Sequence, residues 1–153
     1  LSHALLTVTG SPASESTHRA FRILTSKSAE SKKPIPVIHS LSLSTSLSQS
    51  IATASMDEWL AAAKASGRKM PFLWVGPTAA GHQKPPELAV SQGNNALWHY
   101  TLNTSKAAQS RDVEVLGMYN ATLQATSFDG SHYGVKVSLM QAMMVSCRSS
   151  LCL

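Results

Sequence analysis

The chain has 153 residues, of which 43% are hydrophobic and 14% are charged, and its formal net charge is +5. This length and composition suit a single globular domain over residues 1–153 and exclude a disordered chain. The basic residues do not cluster among aromatic ones, because Lys32-Lys33 and Arg68-Lys69 are the only adjacent basic pairs. We therefore expect no binding of nucleic acid.

Apolar runs, cysteines and sequons bear on the compartment. No apolar run approaches the ~20 residues of a membrane span, and no secretory leader is recognisable after Leu1. Cys147 and Cys152 are close enough in the chain to bridge, but two cysteines in a short tail do not make a disulfide framework, so we favour two free thiols. The triplets beginning at Asn103 and Asn120 match the N-glycosylation sequon, which favours a secretory or extracellular location without establishing it.

The first half of the chain alternates short apolar runs with amphipathic segments. Leu5–Thr9 is β-branched and ends at a Gly-Ser-Pro turn, which predicts a buried strand. Ser16–Lys27 is predicted to be a helix and Pro36–His39 a second strand, whereas the serine-rich segment Ser40–Ser50 is left without a regular structure.

A second helix is predicted from Ser55, whose spacing from Glu58 suits a capping box, to a glycine stop at Gly67. Its apolar residues share one face: Met56, Trp59, Leu60 and Ala63. The elements predicted after it are a strand Phe72–Val75, a long loop Gly76–Gly93, a helix Asn95–Gln109, a strand Val113–Met118, a helical turn Ala121–Gln124 and a final helix Gly134–Val145. The final helix is expected to turn its apolar side inward: Val137, Met140, Met143 and Met144.

Alternating strands and helices indicate an α/β fold. We expect a three-layer sandwich in which a parallel, flavodoxin-like sheet of about four strands lies between helices. Ligands of such folds bind beyond the carboxyl ends of the strands. The loops after Thr9, His39, Val75 and Met118 should therefore share one rim of the sheet.

The motif most indicative of chemistry is Asp129-Gly130-Ser131-His132-Tyr133-Gly134, in a loop just before the last helix. A carboxylate three residues from a histidine can orient the imidazole in a turn, and such a histidine can act as the general base for a hydroxyl nucleophile. Gly130 would permit the sharp turn. The structural alternative is a helix-entry loop that Asp129 caps.

This motif resembles the last block of the SGNH (GDSL-like) hydrolases, and especially of the PC-esterase-like branch that acts on acylated polysaccharides. In that branch a D-G-x-H block precedes a closing helix. The segment Phe72–His82 is similar to its central strand and following polar loop, and Asn94–Trp98 and Val113–Leu116 fall in the expected order. The resemblance covers roughly Met56 to Val145.

The sequence departs from this family at the nucleophile, because no Gly-Asp-Ser triplet occurs. Ser11, after the first predicted strand, is the nearest substitute. The interpretation we favour assigns Gly10 to the second block of the family, where a glycine N–H helps to bind the oxyanion. The fold would then be incomplete here, with the nucleophile strand upstream, and the chain alone should hydrolyse esters poorly.

The resemblance implies a serine-type ester hydrolase or acyltransferase acting on an O-acylated carbohydrate or a similar acyl ester. Asp129 and His132 would be catalytic, and His82 would contact the substrate. The alternative is a non-catalytic remnant of the same fold that binds glycans or a partner. No metal or cofactor is expected, because the histidines lack neighbouring ligands at metal-binding spacing and no phosphate-binding glycine motif occurs.

Overall fold

The computed structural model describes residues 7–8, 37–40, 47–65 and 72–148. The predicted helix Ser16–Lys27, the candidate residues Gly10 and Ser11, and Cys152 lie outside the described residues. The elements in chain order are β1 (Thr7–Val8), β2 (Val37–His39), α1 (Gln49–Ala65), β3 (Phe72–Val75), a 3-10 turn (Pro86–Leu88), α2 (Ala89–Gln92), α3 (Asn94–Gln109), β4 (Glu114–Leu116), α4 (Met118–Thr122) and α5 (Val135–Arg148).

The strands form a small parallel sheet in the order β1-β2-β3-β4. The ladder between β3 and β4 continues for one residue, because the N–H of Gly76 donates to the carbonyl of Leu116 at 3.0 Å. The predicted α/β class with a parallel sheet is confirmed. Since parallel strands end on the same side, the loops after β3 and β4 begin on one rim of the sheet.

Helices lie on both faces of the sheet. Successive residues of β3 point to opposite sides, and each side packs against a different set of helices. Trp74 packs with buried residues of α1, α3 and the turn after α3: Ala52, Met56, Tyr100, Ala108 and Val113. Leu73 and Val75 pack in a second cluster with Ile38, Leu116, Met118 and Val145, against which α5 lays Val137, Met140 and Met144. Burial on both faces explains why β3 is apolar throughout.

Helix α1 corrects the predicted capping box. It begins at Gln49, so Ser55 and Glu58 lie in its interior, and Ser55 is only 1% exposed. The hydroxyl of Ser48 accepts the N–H of Ile51 at 3.4 Å and has the capping role instead. Ser55 is buried where the helix meets the core, which the local spacing with Glu58 does not reveal.

Two further predictions were wrong in part. The predicted loop Gly76–Gly93 contains the 3-10 turn and α2. Met143, expected to face inward, is 61% exposed beside the exposed Leu139, because it lies on the flank of the stripe that α5 buries. Within the described residues, no helix is long and apolar enough to cross a membrane.

Candidate active site

The Asp129–His132 motif lies in a short loop closed by its own hydrogen bonds. Ser127 and Tyr133 form an isolated antiparallel bridge, and the N–H of Phe128 donates to the carbonyl of His132 at 2.9 Å. Inside the loop, Gly130 has φ +83° and its N–H donates to Ser127 Oγ at 2.8 Å. The left-handed backbone at Gly130 turns the chain so that Asp129 and His132 face each other.

The Asp129 carboxylate uses both of its oxygens within this loop. Oδ1 accepts the N–H groups of Ser131 and His132, each at 2.8 Å, and Oδ2 lies 2.6 Å from Nδ1 of the His132 ring. Asp129 thus shapes the turn and orients the imidazole at once, instead of capping the helix that follows.

These contacts set the ionisation of Asp129 and the tautomer of His132. The hydrogen bond from His132, with those from the two backbone N–H groups, holds the pKa of Asp129 well below its usual value. An ionised Asp129 accepts a hydrogen bond from the Nδ1–H of His132, which leaves the lone pair of a neutral ring on Nε2. The His132 side chain is 80% exposed, and no group within the described ranges bonds Nε2. The arrangement therefore suits proton exchange between Nε2 and a bound hydroxyl.

The lowered pKa of Asp129 predicts an acid-sensitive loop. A depressed carboxyl pKa stabilises the fold fully above the unfolded value of about 4, and this contribution is lost as the pH falls through the folded value. In an NMR titration from pH 6 to pH 2, the amide signals of Ser131 and His132 should move together below pH ~4. Asp129→Asn should remove this transition while keeping the turn. A midpoint at or above the ordinary carboxyl value would contradict the prediction.

The loop after β3 holds the Asp129–His132 loop in place. The N–H of Gly81 donates to the carbonyl of Gly130 at 3.0 Å, and Lys84 Nζ donates to Ser131 Oγ at 2.6 Å. Asn94, at the start of α3, bonds both the N–H and the carbonyl of Ala80, at 2.8 and 3.1 Å. The motif is thereby fixed at the rim where β3 ends.

Lys84 also places a positive charge beside the loop. Partial burial lowers the pKa of Lys84, and the nearby negative charge of Asp129 opposes that effect. A cation at this position favours the ionised form of Asp129 and so supports the orientation of His132.

A second anchor joins α4, the loop after β3 and the end of the motif. The hydroxyl of the fully buried Thr122 accepts the N–H of Ala79 at 2.9 Å and donates to the carbonyl of Met118 at 2.8 Å. The Tyr133 hydroxyl donates to the carbonyl of Ala79 at 2.6 Å, and burial raises the pKa of Tyr133, which keeps it a donor. Both backbone groups of Ala79 are thus satisfied by side chains that flank the motif.

Removing the Thr122 hydroxyl should destabilise the protein measurably. Thr122→Val leaves the N–H of Ala79 buried without an acceptor, at a cost of about 1–3 kcal/mol in the free energy of unfolding. Thr104→Val is the matched control, because Thr104 is equally buried but only donates, to the carbonyl of Tyr100 within α3. Urea unfolding of both variants measures the difference. Equal losses would show that the bond to Ala79 contributes nothing.

The other predicted site residues are dispersed. His82 is exposed in the turn after β3, in the same loop as Gly81 and Lys84, without a hydrogen bond to Asp129 or His132. The sequon residues Asn103 and Asn120 are both exposed, on α3 and α4. The roles of His82, Asn103 and Asn120 therefore stay predictions, as do those of Gly10 and Ser11.

The chain was compared with protein families, curated proteins and solved structures. No protein-family model matches the chain, and no curated protein matches it. Solved structures do match. Est24, a carbohydrate acetylesterase from Sinorhizobium meliloti, is 16% identical with a TM-score of 0.58, covering 87% of this chain and 68% of its own. The aryl esterase of M. smegmatis is 17% identical with a TM-score of 0.54, covering 84% and 67%.

The chain shares the fold of these esterase structures over most of its length. A further carbohydrate acetylesterase family member from Sinorhizobium meliloti superposes with a TM-score of 0.54 at 12% identity, over 85% of this chain and 68% of that one. At these identities the likeness concerns the fold. The predicted resemblance to SGNH hydrolases is confirmed at that level, while its PC-esterase branch stays a prediction.

The sequence did not single out three residues that shape the site: Lys84, Asn94 and Thr122. Most of their contacts join residues far apart in the chain, and no local spacing signals them. Within the described ranges, no three histidine, cysteine or acidic side chains are grouped so that they could hold a metal ion.

Proposed function

We propose that this chain belongs to a serine-type acyl-ester hydrolase or acyltransferase of the PC-esterase-like branch, acting on O-acylated carbohydrates. The observation that carries the proposal is the 2.6 Å contact between Asp129 and His132, in a loop that leaves Nε2 exposed at the rim of the sheet. The esterase fold of the chain supports the same class of reaction.

In the proposed mechanism a serine hydroxyl attacks the ester carbonyl while Nε2 of His132 takes the hydroxyl proton. Asp129 holds the ring and stabilises the imidazolium that forms. The tetrahedral intermediate collapses, and His132 gives the proton to the leaving alcohol oxygen. Water, or an acceptor alcohol in a transferase, then attacks the acyl-serine by the same exchange through His132.

The remaining roles in this mechanism are also proposals. The N–H of Gly10 would contribute to the oxyanion hole, and exposed His82 would make a polar contact to substrate. The nucleophile is a serine upstream of this chain or, as the less favoured candidate, Ser11. The exposure of Asn103 and Asn120 is compatible with glycans on a secreted enzyme.

Covalent labelling of the nucleophile tests the proposal. The intact protein, with any sequence that precedes Leu1, should react with a fluorophosphonate and hydrolyse acetylated xylose. Peptide mapping then identifies the labelled serine, and Ser11→Ala, with Ser50→Ala on α1 as control, shows whether Ser11 is that residue. Robust turnover by the chain alone that Ser11→Ala abolishes would make Ser11 the nucleophile.

The opposite outcome has a definite meaning. The sequence lacks a Gly-Asp-Ser triplet, which favours a non-catalytic remnant that binds glycans or a partner. If the intact protein is neither labelled nor active on any acyl ester, the hydrolase proposal fails and the remnant is the correct interpretation.

A further inference from the structure

Phe128 is an aromatic residue that the fold leaves exposed beside His132. Its side chain is 72% exposed, whereas phenylalanines of globular proteins are among the most often buried residues. It immediately precedes Asp129, so its ring and the imidazole belong to the same five-residue turn. The exposed ring offers a flat apolar face beside His132 that a bound ligand could cover.

Both the backbone and the ring of Phe128 make contacts within the loop. Its N–H donates to the carbonyl of His132 at 2.9 Å, next to the bridge between Ser127 and Tyr133. Its ring lies over Gly134, where an added Cβ would come within 3.3 Å of the ring Cζ. The contact with Gly134 restricts the ring relative to His132, which reduces the side-chain entropy that Phe128 loses when a ligand binds.

The chemistry of His132 indicates which part of an ester lies near this ring. This step rests on the proposed function. In acyl transfer the general base later protonates the leaving oxygen, so Nε2 must lie within hydrogen-bond reach of the alcohol oxygen. The acyl carbon is instead bound to the serine. Groups on the loop of His132 therefore border the alcohol part of the substrate.

We propose that Phe128 is a specificity-determining residue that binds the sugar ring on the alcohol side of the ester. A pyranose presents a face of C–H groups, which packs on the flat apolar ring of phenylalanine, while its hydroxyls stay in water. The acyl group does not reach this ring. Phe128 thus selects esters of cyclic carbohydrates over esters of small alcohols with the same acyl group.

Two esters that share the acetyl group test this assignment in the intact protein. Phe128→Ala should raise KM for 6-O-acetylglucose about three- to tenfold with little change in kcat, the range expected when an aromatic contact is lost. Its kinetics with ethyl acetate should be unchanged. Phe128→Trp should preserve the KM for the sugar ester. Val90→Ala, which trims an exposed apolar residue on α2, is the control and should alter neither substrate.

A binding measurement separates this inference from the proposed function. Saturation-transfer NMR of the protein with cellobiose needs no turnover, and Phe128→Ala should abolish the signal. Sugar binding that depends on Phe128 without ester hydrolysis would leave this inference standing and refute the hydrolase. Absence of cellobiose binding, or a Phe128→Ala variant that changes the preference between acetate and butyrate esters but not between alcohols, would overturn it.

Discussion

Replacing His132 with glutamine is expected to lower kcat/KM for acyl-ester hydrolysis by the intact protein about 10⁴-fold or more. In the proposed mechanism, the substitution removes the group that takes the proton from the nucleophile and returns it to the leaving alcohol. Glutamine keeps a polar side chain in an exposed position, so the loop and its stability should change little. The measurement is a comparison of initial rates with acetylated xylose, together with the thermal midpoint of both proteins.

His99→Gln is the matched control for this experiment. His99 is an exposed histidine on α3 and has no contact with the loop of His132 in the described structure. Its substitution should leave kcat/KM within about twofold of the unmodified protein. Asp129→Asn should also reduce turnover strongly, because an amide can present its N–H group to Nδ1 and favour the wrong tautomer. Near-normal activity of His132→Gln would remove this loop from the mechanism.

Gly130→Ala should have the largest effect on stability. At φ +83° a side chain is strained, and an added Cβ would lie 2.2 Å from the backbone nitrogen of Lys84, a contact that backbone on both sides prevents from relaxing. We expect a loss of about 2–4 kcal/mol in the free energy of unfolding and a thermal midpoint about 10 °C lower. Calorimetry measures both quantities.

Gly117→Ala is the control, because an added Cβ at Gly117 meets no atom within 4 Å and its φ of -80° suits any residue. This variant should unfold within about 0.5 kcal/mol of the unmodified protein. If Gly130→Ala were as stable as Gly117→Ala, the loop after β3 could not be packed on the motif as the structure has it. Gly130→Ala should also lose the hydrogen bond from the N–H of Gly81 to the carbonyl of residue 130.

The sequence predicted best those features that depend on neighbouring residues. The strand at β3, the helix α3 and the position of Asp129 and His132 in a glycine-containing loop all follow from patterns within a few residues. The capping box at Ser55 failed because burial of that serine depends on the sheet that α1 packs against. Met143 was placed inward because helical periodicity alone does not reveal the width of the buried stripe.

The contacts that hold the site could not be predicted in the same way. Lys84 reaches Ser131 across 47 positions, and Thr122 reaches Ala79 across 43. A lysine or a threonine at such a distance has many available partners, and only the folded chain selects one. The nucleophile is undecided for a different reason, since the chain offers no Gly-Asp-Ser triplet at all.

Because Asp129 and His132 belong to one turn, the orientation of the imidazole and its distance from the proposed serine nucleophile are governed by separate parts of the molecule. The orientation depends on hydrogen bonds inside a single turn, which small movements of the sheet leave intact. The distance depends on how Ala79 and Gly81 tether that turn to the strand beside it. A weakened tether, as in Thr122→Val, should therefore slow acylation while the Asp129 carboxyl titrates as before. Substitutions that strengthen this tether could therefore restore the position of the turn without any change at Asp129 or His132.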